Sequence, residues 1–132
     1  MILTNEQVRA ADVVREKLLG KAVRPPQPRP DEPGNTADLR QILSRPFSDS
    51  WAREGLDLRT KSVATMSMLI ALGSHEELGK HFVAALRLGI APEEVTELLI
   101  HSAGYCGVAR AHSAFEKLTE VLQARDSVTN PA

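Results

Sequence analysis

The side chains able to do chemistry fall between residues 51 and 112. Cys106 is the only cysteine. It follows Val95, Leu99 and Ser102 at helical spacing, which puts it on an apolar stripe. A free cysteine there most often serves as a small hydrophobe. Glu94 stands twelve residues earlier, about 18 Å along a straight helix. The two meet at one site only if the helix bends or a neighbouring subunit supplies one of them. Glu93 and Glu94 also suit the positive end of a helix dipole. Two more histidines, His101 and His112, flank the cysteine. His101 falls with Glu97 and Tyr105 on a polar stripe, read as a surface or interface face. His81 sits beside a Leu78–Phe82 stripe as a boundary histidine. An imidazole with an ordinary pKa of about 6.5 can give or take a proton at neutral pH. Arg59, Lys61 and Arg87 are candidate anion anchors, because a guanidinium binds a carboxylate in bidentate fashion. An exposed helix charge is the alternative reading for each. His75 and His81 are six apart, a poor ligand pair, and no zinc spacing, phosphate loop or Ser-His-Asp order is present. No metal and no cofactor are therefore expected.

Helices must position these groups, since no strand-period alternation and no internal repeat appear. Residues 5–19 carry Val8, Ala11, Val14 or Arg15, and Leu18 at spacings of three and four, with Gly20 as a stop. Five prolines between Pro25 and Pro33 then predict an extended, passive linker. Residues 35–54 read as one or two short helices broken at Pro46. Phe47 and Trp51, four apart, are placed to cover the core like a flap, and Trp51 is a candidate substrate contact. Asp57 caps a helix running to Leu72, apolar nearly all round from Val63. Ser74 with Glu77 predicts a capping box for the next helix. That helix turns Leu78, Phe82, Ala85 and Leu86 inward and ends at Gly89. Pro92 opens a helix with Val95, Leu98, Leu99, Ser102 and Cys106 inward, interrupted at Gly107. The last helix shows Val108, Ala111, Phe115, Leu118 and Leu122, and a frayed tail is expected after Arg125. The fold class is all-α, with about six helices. The expected organisation is 1–34 helix and linker, 35–125 helical domain and 126–132 tail.

The chain has 132 residues, 42% of them hydrophobic and only 4% aromatic. The size of one domain follows, with a core of Leu, Val, Ile, Ala and Met. A formal net charge of -1 gives no field for nucleic acid. The longest apolar run, MLIALG, is far below the roughly 20 residues that span a bilayer. The charged N-terminus has no signal-peptide core, so the cytoplasm is the expected compartment. An all-round apolar helix in so small a chain implies an oligomer.

The stretch EEVTELLIHSAGYCGVARAHSAF, preceded by WAREGLDLRTKSVATMSMLIALG and HFVAALRLGIAP, resembles the carboxymuconolactone decarboxylase family over residues 51–122. The resemblance implies an AhpD-like helical bundle, assembled as a homo-trimer or homo-hexamer with sites at or near subunit interfaces. Cys106 matches the first cysteine of the family's alkylhydroperoxidase motif and Glu94 its glutamate. The second cysteine's position is Ala109, and the motif histidine falls at Ser113. Peroxide reduction needs a resolving thiol, so the resemblance favours a cofactor-independent lyase. Its expected substrate is an anionic unsaturated lactone or a related cyclic carbonyl compound. His81 matches a histidine before the family's AALR segment, and Arg59 and Arg87 match family arginines. His112 stands where GVPAANSAF would have asparagine. The catalytic candidates are thus His81, Glu94, Cys106 and His112, and the substrate-binding ones Arg59, Arg87 and Trp51. Two alternatives stay open. One is recruitment to another small-molecule reaction, such as polyketide or lactone cyclisation or isomerisation. The other is a thiol-dependent antioxidant enzyme.

Overall fold

Hydrogen-bond exchange between Thr4 and Gln7 starts the first helix, α1 (Asn5–Leu19). The Thr4 hydroxyl accepts from the Gln7 amide at 3.2 Å, and the Thr4 amide donates to Gln7 Oε1 at 2.8 Å. Gly20, at φ 85°, ends it by donating to the Glu16 carbonyl. The computed structural model describes residues 4–20 and 29–130, and its regular elements are all helical. Pro25, Pro26 and Pro28 lie outside the described residues. From Arg29 to Asn35 the chain is turned rather than extended. The Glu32 amide donates to the Arg29 carbonyl and the Glu32 carboxylate accepts from Arg40, which ties these turns together.

Two compact units divide the chain, Met1–Leu56 and Asp57–Ala132. In the first, α1 buries Ala11, Val14 and Leu18, the stripe read from the sequence, although Val8 stays exposed. α2 (Thr36–Pro46) leads without a break into a π-helical turn at Phe47–Trp51. Pro46 was expected to break the helix. Instead it lacks the N–H that an α-turn needs, and the chain widens, so that the Ala52 amide reaches back to the Phe47 carbonyl. The π turn packs on α1 and α2, and the Arg15 guanidinium lies 4.7 Å from the Phe47 ring centroid.

The second unit holds α3 (Leu58–Leu72), α4 (His75–Arg87), α5 (Pro92–Cys106) and α6 (Val108–Thr129). Asp57 caps α3 by accepting from the Thr60 amide at 2.8 Å and the Thr60 hydroxyl at 2.7 Å. Those hydrogen bonds hold its carboxyl below the usual range. Gly73 closes α3 in the left-handed region at φ 69°. A side chain there would also strike the Arg110 guanidinium, 1.6 Å from an ideal Cβ. The Ser74 capping box does not form, because Ser74 at ψ 72° makes no side-chain cap bond. Glu77 pairs with Lys80 instead.

The core joins Met66 and Ile70 of α3, Phe82 and its neighbours on α4, Val95 and Leu99 of α5, and Ala114 and Leu118 of α6. The inward face of α6 keeps Leu118 and Leu122 as expected, but Ala114 takes the place of Phe115. Val108 and Phe115 are 77% and 52% exposed, while Ala114 is fully buried. A methyl side chain lets α6 approach α4 where a phenyl ring would hold it off. α6 also continues through Thr129, past the expected fraying point, with Ser127 and Thr129 hydroxyls bonded to carbonyls one turn back.

Short joins make consecutive helices of this unit antiparallel. Gly79 of α4 lies under the Lys117 stem of α6, and Gly73 under Arg110, so α4 and α6 run the same way. One end of the unit therefore collects the start of α3, the end of α4 and the start of α5. The opposite end collects the end of α5 and the start of α6.

Candidate functional site

Those two ends separate the sequence candidates. At the first end Arg59 forms an ion pair with Glu94. Arg59 sits in the first turn of α3 and Glu94 in the first turn of α5. Glu94 Oε2 also accepts from the Ala91 amide at 2.8 Å, capping α5 from within. Pro92 opens that helix at no cost in donors. The carboxylate is fixed by two partners and in turn orients the guanidinium. Both side chains remain about half exposed, at 49% and 48%, so a solvent-borne anion can reach the arginine.

Cys106 and His112 lie at the opposite end. α5 is continuous from Pro92 to Cys106, so the helix does not bend to bring Glu94 to the thiol. Their separation stays at about 18 Å by helical rise. Cys106 is half-buried, its side chain packed on the core. His112 is exposed and pairs with Glu116 at 3.2 Å. The polar stripe read for His101 is present: its ring lies 5.2 Å from that of Tyr105, and both are exposed.

His81 stands near the middle of α4, half-buried. Burial pushes its pKa below the ordinary value; Glu77 opposes this and Lys80 adds to it. Its imidazole is neutral near pH 7. Arg87, in the last turn of α4, lies on a different face of that helix, on the wall of a groove of about 830 Å³ between α4 and α6. Trp51 belongs to the N-terminal unit, where it is buried at the close of the π turn. Among the described residues no group of three His, Cys, Asp or Glu side chains is placed to hold a metal ion. None of their helices is long and apolar enough to cross a membrane.

The sequence reading named Arg59 and Glu94 separately and did not pair them. They are 35 residues apart on different helices, and no periodicity links them. Lys117, which binds Glu76 at 3.0 Å and Glu120 at 2.9 Å, was also missed. Those two carboxylates raise its pKa.

The molecule is thus an all-α protein whose last four helices carry every polar candidate except Trp51. A sequence model described as the carboxymuconolactone decarboxylase family matches residues 39–120, more than half of the chain. The chain belongs to that family. It is 32% identical over 87 residues to the 4-carboxymuconolactone decarboxylase of Acinetobacter baylyi, across 65% of this chain and 65% of that protein. It is 30% identical over 94 residues to the nitrosuccinic acid decarboxylase of Metarhizium robertsii, across 71% of this chain and 66% of that protein. The matched stretches thus cover just under two thirds of the length of each relative.

Proposed function

We propose that the protein is a carboxy-lyase that removes CO2 from an anionic substrate carrying its own electron sink. The observation that carries this reading is the Arg59–Glu94 pair. It is a pre-oriented and solvent-accessible guanidinium in a family whose two relatives above are both named decarboxylases. The substrates in those names differ, yet each places a carboxylate next to an electron-withdrawing group and keeps a second carboxylate. In an unsaturated lactone the electron pair released with CO2 flows to the ring carbonyl. In nitrosuccinate it flows to the nitro group. One proton then adds at carbon and balances the reaction. The protein need only hold the carboxylate, stabilise the developing negative charge and deliver the proton.

Arg59, steadied by Glu94, takes the anchoring role in this reading. His81 delivers the proton. A neutral imidazole is donor at one nitrogen and acceptor at the other, so it relays a proton without carrying net charge. Cys106 and His112 sit at the far end of the same unit, so we place them in the site of a neighbouring copy, within a trimer or hexamer. The substrate provides the electron sink, and the reaction proceeds without a cofactor.

The test is direct. The purified chain is incubated with 4-carboxymuconolactone or nitrosuccinate, with and without a chelator, and CO2 release is followed. Turnover of at least one compound is expected, unchanged by the chelator. His81→Ala is expected to lose on the order of 10²-fold in rate. No turnover of either compound sinks the assignment. Activity that vanishes with the chelator and returns with metal removes the cofactor-free mechanism.

A further inference from the structure

The groove between α4 and α6 is lined by Arg87, a substrate-binding candidate that the proposed mechanism does not use, and by none of Arg59, His81, Glu94, Cys106 and His112. Its volume of about 830 Å³ lies within the range of small-molecule sites. Val83 and Leu86 from α4, with Val121, Ala124 and Val128 from α6, make its floor. Val83 is 46% and Val128 82% exposed, so this apolar surface is open to solvent. Two small residues keep it open. Gly79 leaves room for the Lys117 stem to lie flat, 2.9 Å from where a Cβ would stand, and Ala124 adds only a methyl.

Charge is distributed unevenly along the groove. At the Gly79 end the cations are already neutralised: Lys117 by Glu76 and Glu120, and Lys80 by Glu77. At the other end Arg87 has no carboxylate partner among the described residues, and Arg125 has only its exposed chain neighbour Asp126, at 3.4 Å. The two ends lie about 16 Å apart, from the eleven residue steps from Glu76 to Arg87 at about 1.5 Å each.

We propose that this groove binds an amphiphilic carboxylate, with the head group on Arg87 and Arg125 and an alkyl chain of about decanoate's length along the floor towards Gly79. A small dicarboxylate would leave the floor exposed to water. A cationic amphiphile would meet Arg87, and a neutral alcohol would leave the guanidinium without its anion. Its lining shares no residue with the Arg59, Glu94 and His81 of the proposed lyase site.

The experiment is calorimetric titration of the full chain with decanoate, hexanoate, decanol and succinate, with light scattering at each point. Decanoate should bind most tightly. Each methylene removed should weaken binding by up to roughly fourfold. Arg87→Gln should weaken decanoate by about tenfold and leave decanol unchanged. Ala124→Trp, at an exposed position, should abolish binding by filling the floor, and Val83→Glu should do the same by placing a carboxylate on it. Equal affinity for decanoate and decanol, or full binding by Ala124→Trp, overturns the proposal. So does a change of oligomer mass in Ala124→Trp, which would assign the groove to a second copy of the chain. Because the readout is binding, an inactive lyase with intact decanoate binding leaves this proposal standing.

Discussion

His81 shows how burial alone can set a side chain's chemistry. Its folded-state pKa lies below the ordinary 6.5 of the unfolded chain, chiefly because the charged imidazolium is costly to bury. The sign of the linkage follows. Above pH 6.5 the group is neutral in both states and stability does not depend on it. As pH falls through 6.5 towards the lowered folded value, the unfolded chain takes up the proton first and stability is lost. Thermal melts between pH 7 and 5 should therefore show a smaller acid loss in His81→Gln than in the parent protein. Equal slopes would show that the imidazole is not desolvated. The Arg59–Glu94 pair makes a contrasting case. Both groups are half exposed, so breaking the ion pair costs only about 0–1 kcal/mol. Glu94→Ala also removes the bond to the Ala91 amide, a further cost of about 1 kcal/mol. If the pair serves substrate binding, Arg59→Ala should lower kcat/KM by far more than this small stability change. A variant with normal turnover and a lowered melting temperature would make the pair a helix staple and nothing else.

Helix existence was legible because each helix carries its own punctuation. Gly20, Asp57, Gly73, Pro92 and Gly107 sit where caps, first turns and stops require them, and these signals are local. Helix facing was less legible. On α6, Phe115 and Ala114 fit adjacent stripes equally well, and only the approach of α4 selects the smaller one. At Pro46 a local rule predicted a break, but the chain used a wider turn. At Ser74 the expected cap is absent, the serine backbone standing at ψ 72° rather than in the extended region that Thr4 and Asp57 adopt at their caps. Gly73 joins two constraints, a left-handed backbone and the Arg110 guanidinium above it. Gly73→Ala should destabilise by about 1 kcal/mol or more, measured by denaturant midpoint. Gly104, with open space around its Cα, makes a helix-interior comparison in which alanine should be neutral or stabilising. If alanine at 73 is tolerated as well as at 104, the arginine contact carries no weight.

As a whole molecule, the C-terminal unit keeps a large apolar exterior. On α3 alone, Met68 is 58% and Leu72 71% exposed, and Ile100 of α5 is 62% exposed. The sequence foretold this surplus, since a helix with little hydrophobic asymmetry cannot hide all its sides in so small a unit. The trimer or hexamer proposed above would bury this surface between copies. Light scattering at micromolar concentration should give a mass well above the 14.4 kDa of one chain. Met68→Glu should shift that mass downward and reduce lyase activity in step. A stable monomer with full activity would remove both the assembly and the shared site. The sequence already set Glu94 and Cys106 about 18 Å apart on a straight helix, but did not show that Arg59 joins Glu94 at one end, because that depends on helix direction rather than on residue type.

The parallel run of α4 and α6 also has a consequence for synthesis. Phe82 is fully buried, but part of the surface that buries it, Ala114 and Leu118, lies more than thirty residues further along the chain. A ribosome releasing this protein exposes α3, α4 and α5 before the helix that completes their core exists. Until α6 emerges, the nascent chain carries the apolar faces of three helices without their last partner, the kind of exposed surface that chaperones recognise.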